Sequence, residues 1–147
     1  MTALRVVAAI VVAATLGACT DETIVYRDRQ PFNPPPDSIT GFLGYFDVGT
    51  KQTTCGNCHV IHQRDWKATK HAIAWVTLVA SGGQRASCNA CHTLSEKGNV
   101  ALGPAGYTRV ADSAYHDVQC ESCHGPGLAH VLEPDLPGSA PLANLSL

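Results

Sequence analysis

Three five-residue stretches constrain this chain more than anything else in it. They are Cys55-Gly56-Asn57-Cys58-His59, Cys88-Asn89-Ala90-Cys91-His92 and Cys120-Glu121-Ser122-Cys123-His124. Each reads C-x-x-C-H, and the spacing has a chemical reason. Two cysteines three apart reach the two vinyl groups of one porphyrin and form thioethers with it. The histidine directly after the second cysteine then lies beneath the ring and offers an imidazole nitrogen to the iron. Zinc is a poorer match, because it needs thiolates kept reduced and six cysteines do not divide into four-ligand sites. A disulfide framework leaves the histidine after every second cysteine unexplained. The pattern therefore predicts three covalent c-type haems, on Cys55 and Cys58, on Cys88 and Cys91, and on Cys120 and Cys123. His59, His92 and His124 would be the proximal iron ligands.

Residues 1–18 read as a targeting segment. Arg5 supplies its positive end, and Val6 to Leu16 is an apolar run too short to remain as a membrane span. The run ends in Leu16-Gly17-Ala18-Cys19, which resembles a bacterial lipobox, where cleavage falls before the cysteine and the cysteine is lipidated. Cysteine arithmetic supports this, since the chain has seven cysteines, the motifs take six, and the one left is Cys19. The expectation is an exported bacterial lipoprotein, periplasmic or at the cell surface, attached to the membrane through acyl chains. Each buried methylene of such a chain adds about 0.8 kcal/mol. Export also suits haem, which is coupled to C-x-x-C-H outside the cytoplasm. Residues 19–40 read as a tether, because Pro31, Pro34, Pro35 and Pro36 favour extended polyproline II. Residues 41–147 then form one trihaem domain.

Within that domain the clearest expected helix runs from Arg64 to Ala80, with Asp65 capping its start and Ser81-Gly82-Gly83 ending it. From Ala72 onward it is almost wholly apolar, which predicts burial on several sides. Trp66 and Trp75 read as packing residues. Gly41 to Phe46 is apolar but broken by glycine and reads as an irregular lead-in. Glu96 to Gly106 carries three glycines and Pro104 and reads as a loop. Asp112 to Gln119 reads as a short helical run, Gly125-Pro126-Gly127 as a turn, and Glu133 onward as irregular. The fold class expected is mainly α with extensive irregular loops, a small multihaem cytochrome c domain whose core is built by its haems. Few conventional core residues are present for a chain of this size, so without haem it should be largely unfolded.

The net charge of −2 and the absence of a basic stripe argue against nucleic acid. Protein redox partners, met through exposed haem edges, fit better. Ligand supply is informative. The one methionine is Met1, so histidine–methionine ligation, which raises potential, is ruled out in the mature chain. The spare histidines are His62, His71, His116 and His130. His71 lies on the expected helix, His130 follows the Gly-Pro-Gly turn, and His116 precedes the third motif. These three are the candidate distal ligands. His62 follows its own proximal histidine too closely to reach the far face of the same ring.

Cys55 to His59, then Trp66 to Ala72 as W-x-x-[ST]-x-H-A, then Cys120 to His130 as C-E-x-C-H-G-P-G-x-x-H, make a specific combination. It resembles the tetrahaem cytochrome family that accepts electrons from hydroxylamine oxidoreductase. The resemblance implies closely packed haems in a helical and irregular fold, electron transfer, and His71 and His130 as distal ligands. The family usually carries a fourth C-x-x-C-H beyond the C-H-G-P-G segment, which this sequence lacks. A shortened trihaem member and a piece of a longer cytochrome are both open. An electron carrier with mostly bis-histidine haems is the favoured reading. The alternative is an enzyme acting on nitrite, hydroxylamine or nitric oxide at a five-coordinate haem. The lipobox gives a first test. Cys19→Ser should move haem protein from the membrane to the soluble periplasmic fraction, and an unaltered protein already soluble and free of lipid would refute the anchor.

Overall fold

In the computed structural model, which describes residues 34–140, the longest regular element is the eight-residue helix Val60–Lys67. The expected signal segment, Cys19 and the tether as far as residue 33 lie outside the described residues, as do residues 141–147. A short hairpin pairs β1 (Tyr45–Asp47) with β2 (Gln52–Thr53), antiparallel, with Tyr45 opposite Thr53. Helices α1 (Val60–Lys67), α2 (Ala74–Ala80), α3 (Ala86–His92), α4 (Tyr107–Val110), α5 (Glu121–His124) and α6 (Leu128–Leu132) follow. Single 3-10 turns fall at Cys55–Asn57, His71–Ile73 and Ser113–Tyr115. The fold is thus mainly helical with extensive loops, as expected.

The expected helix Arg64–Ala80 is two helices with a 3-10 turn between them. The cause is tertiary. Backbone groups that would continue the helix are taken by distant partners. His71 O accepts from Val118 N at 3.2 Å, Ala72 O accepts from Lys51 Nζ at 2.5 Å, and Trp75 N donates to Asp117 Oδ1 at 2.9 Å. Thr69 Oγ1 also donates back to Trp66 O at 2.7 Å, which closes the end of α1. Asp65 caps nothing and pairs with its exposed neighbour Arg64. Burial differs too. Ala72 and Leu78 are buried, but Ile73, Val76 and Val79 are exposed.

Three other expectations need correction. Gly41 to Phe46 is not wholly irregular, since its last two residues enter β1. Asp112 to Gln119 holds only the single turn Ser113–Tyr115, whose N-cap is Asp112 accepting from Ala114 N at 2.8 Å. His116 then becomes extended and Asp117 takes a positive φ of 67°, so no helix can continue. The boundary at residue 41 is also too late. Pro35 and Asp37 are buried, and Asp37 accepts from Gly106 N at 2.9 Å, from Thr40 and from Arg109, while its own N–H donates to the Tyr115 hydroxyl at 2.8 Å.

The apolar cluster is small, with Phe42, Leu94, Ala105 and Tyr115 at its centre. The interior is held equally by carboxylates. Asp117, 1 % exposed, accepts from the Tyr45 hydroxyl, Lys51 and Trp75 N, and so ties the hairpin to α2. Glu121, on α5, accepts from Leu43 N at 3.0 Å, Gly44 N at 2.9 Å and Gly127 N at 2.8 Å. It clasps the lead-in to the Gly-Pro-Gly turn. Burial pushes its carboxyl from 4.5 up to about 7, against the pull of those three amides. Between these two values the folded chain binds more protons than the unfolded one. Stability is then full below pH 4.5 and declines towards pH 7. Glu121→Gln should cost about 1–3 kcal/mol at low pH, because amides lose an acceptor. It should also flatten the fall in denaturation midpoint between pH 5 and 7, and an unchanged slope would count against the clasp.

Candidate haem sites

A helical turn places residues i, i+3 and i+4 on one face. Each C-x-x-C-H stretch takes that turn, so its two cysteines and its histidine are presented together. In the first motif His59 N donates to Cys55 O at 2.9 Å, and in the third His124 N donates to Cys120 O at 3.1 Å. The second motif is the end of α3, which runs to His92.

Each turn has its own support. Under the first lies Gln63, 4 % exposed, which accepts from Thr53 Oγ1 at 2.6 Å and donates to Lys51 O at 2.8 Å. Thr53 Oγ1 in turn accepts from Gly56 N at 3.0 Å. A β-carbon at Gly56 would meet the Gln63 side-chain amide, which would have to shift and give up its hydrogen bonds. The second turn is held by Thr93 Oγ1 donating to Asn89 O at 2.8 Å and Ser95 Oγ donating to Ala90 O at 2.6 Å. The third is held by Glu121 and by Ser122 Oγ, which accepts from Gln119 N at 3.1 Å. Gly125, at φ 85°, ends it, a backbone state that glycine adopts without strain.

The histidines are disposed unequally. His92 Nδ1 lies 3.0 Å from Ala74 O. A carbonyl only accepts, so Nδ1 carries the proton and Nε2 keeps its lone pair for a metal. The rings of His59 and His130 stand 6.3 Å apart, 28° from parallel. His130 Nδ1 lies 3.3 Å from Ser139 Oγ, which leaves its other nitrogen for a ligand. His71 lines a cavity of about 650 Å³ together with Cys91, His92 and Cys123. His116 is stacked on Trp75 at 4.1 Å and 15°, with Tyr107 at 5.6 Å. Burial among these rings pushes its pKa down, against the pull of Asp117 and Asp112. His62 is exposed on α1, its ring 6.2 Å from His59.

The donor set fits haem c. All six motif cysteines are free of disulfides. Two imidazoles that bracket one metal, each with a metal–nitrogen bond of about 2 Å, have ring centres roughly 6 Å apart. The His59–His130 separation of 6.3 Å matches this spacing. The surface around the motifs is apolar and open, with Val60 66 % and Ile61 64 % exposed directly after His59. The first and third motifs also touch. The Cys55 and Cys120 thiols are close enough to act on each other, which raises the pKa of Cys55 and lowers that of Cys120.

Residues 54–125 match the family model described as cytochrome c554 and c-prime. This match supports a c-type cytochrome family. No curated protein and no solved structure gives a match. Such a family implies covalently bound haem c, carried by C-x-x-C-H turns of the kind described above. Sequence reasoning did not single out Gln63 and Glu121 as supports of the motifs, or Asp117 as the tie between hairpin and α2. Glu121 stood in plain view inside the third motif, whereas the other two have no local signal. Gly56→Ala should destabilise the haem-loaded protein by about 1–3 kcal/mol through overpacking. Asn57→Ala, at an exposed position of the same motif, should stay within about 0.5 kcal/mol. Denaturation of both variants checks this, and equal midpoints would dismiss the Gly56–Gln63 contact.

Proposed function

We propose that this cytochrome is an exported, membrane-anchored electron carrier with three covalent haems, mostly bis-histidine and of low potential. What carries the reading is the repeated presentation of two free cysteines and a histidine on a helical turn at Cys55–His59, Cys88–His92 and Cys120–His124. The family match supports a c-type cytochrome in electron transfer, and proteins of that family are typically exported to the periplasm. Haem iron supplies a one-electron couple between ferric and ferrous states. The protein fixes each attachment and offers the axial imidazoles.

His92 presents an imidazole held by Ala74 O, and His59 and His124 complete the first and third motifs. His130 is the distal partner proposed for His59, on their separation of 6.3 Å. His71 is proposed for the haem held at the cavity it shares with His92 and Cys123. His116 remains the third candidate, its ring braced by Trp75. Methionine is absent after Met1, so histidine ligation keeps potentials low. Membrane attachment rests on Cys19, and among the described residues no helix is long and apolar enough to cross a membrane. Close contact of the first and third motifs through Cys55 and Cys120 suits stepwise transfer between neighbouring haems. The donor proposed on sequence resemblance is a hydroxylamine oxidoreductase or a related multihaem enzyme.

Intact mass should exceed the polypeptide by three haems, and redox titration should show overlapping low-potential transitions with mostly low-spin iron. His130→Ala should convert one haem to a high-spin form that binds carbon monoxide, with attachment intact, whereas His62→Ala should not. Steady turnover of nitrite or hydroxylamine, with one full high-spin haem in the unaltered protein, would replace the carrier by an enzyme. A polypeptide without haem would end both readings.

A further inference from the structure

The cavity of about 650 Å³ is lined by Ile73, Ala74, Ala90 and Val118 beside the motif residues, and its polarity is one-sided. Its lining includes two cations, Lys70 and Lys97, and no carboxylate. The lysines come from separate places, Lys70 just before the turn that carries His71 and Lys97 on the loop after α3. Both are exposed. The ion pairs found among the described residues join Lys51 to Asp117, Arg64 to Asp65 and Arg109 to Asp37, and use neither of them. A cavity with largely apolar walls and two exposed lysines in its lining is complementary to an apolar disc that bears carboxylates. Haem c is such a disc, with its two propionates.

We propose that Lys70 and Lys97 pair with the propionates of the haem seated in this cavity and raise its reduction potential. The inference rests on the haem reading above. The oxidised haem carries one more positive charge than the reduced haem. A neighbouring cation therefore disfavours the oxidised form, and a propionate without a counter-ion favours it. Both lysines stand in solvent, so the effect weakens as salt rises.

The test is a redox titration of the loaded protein and of Lys70→Gln, Lys97→Gln and Lys67→Gln. Lys67 is an exposed lysine of α1 outside the cavity lining and serves as the control. Haem content is measured first, by intact mass. An unaltered protein without haem refutes the underlying reading, and the lysine assignment falls with it. With haem present, Lys70→Gln and Lys97→Gln should each lower one and the same potential. The expected change in that haem's reduction equilibrium is about threefold to tenfold, up to about 59 mV for a one-electron couple. The shift should shrink at high salt, Lys97→Arg should restore the potential, and Lys67→Gln should leave all potentials in place. Unchanged potentials in both cavity variants, or an equal shift in Lys67→Gln, would overturn the proposal.

Discussion

A buried carboxylate joins the two ends of this fold. Glu121 sits between the lead-in at Leu43 and Gly44 and the turn at Gly127, and its two oxygens receive backbone amides from both. Burying a carboxylate is costly unless donors replace the lost water. Here the replacement donors come from two segments that are also joined directly, by Leu128 N donating to Gly41 O at 3.1 Å. Asp117 repeats the arrangement between hairpin and α2, and Asp37 repeats it between the N-terminal extension, Gly106 and Arg109. Among the described residues, buried polar and charged side chains are as many as the buried hydrophobic ones, nine of each. Polar hubs therefore position the loops that an apolar core would position in an ordinary domain.

The apolar side chains left over have a consistent location. Val60 and Ile61 follow the first motif, and Ile73 belongs to the cavity that reaches the second and third. The second helix shows the same excess, with Val76 54 % and Val79 43 % exposed. Burial of apolar surface is the main favourable term in folding, so a polypeptide with this much uncovered gains from a large apolar partner fixed at the same places. Covalent haem c, implied by the family match, is a partner of that kind.

The covalent chemistry was legible because it is local. C-x-x-C-H needs only a helical turn, and the chain makes that turn at all three motifs. The glycine-rich loop before Gly106 and the turn at Gly125 were legible for the same reason, since glycine and proline act within a few residues. The break between α1 and α2 was not. Residues 64–80 carry a helical pattern, and it is overridden by Lys51, Asp117 and Val118, each more than ten residues away. Asp65 looked like a cap because its type suits that position, yet α1 begins five residues earlier, at Val60. Burial of Pro35 and Asp37 was hidden because a proline-rich stretch reads the same whether it is solvated or docked. The placement of His130 near His59 depends on the clasp at Glu121, which no periodicity reveals.

The Glu121 clasp also has a consequence in time. Its partner Leu43 lies 78 residues earlier, and Tyr115 reaches Asp37 across the same separation. A chain made from its N-terminus exposes Gly41 to Gly44 long before Glu121 exists. Contacts this distant in sequence are slow to form. The first C-x-x-C-H turn must therefore wait, its flank uncovered, until the third has been synthesised. The surroundings that Cys55 has in the finished fold, Cys120 among them, are thus completed only once the third motif has emerged.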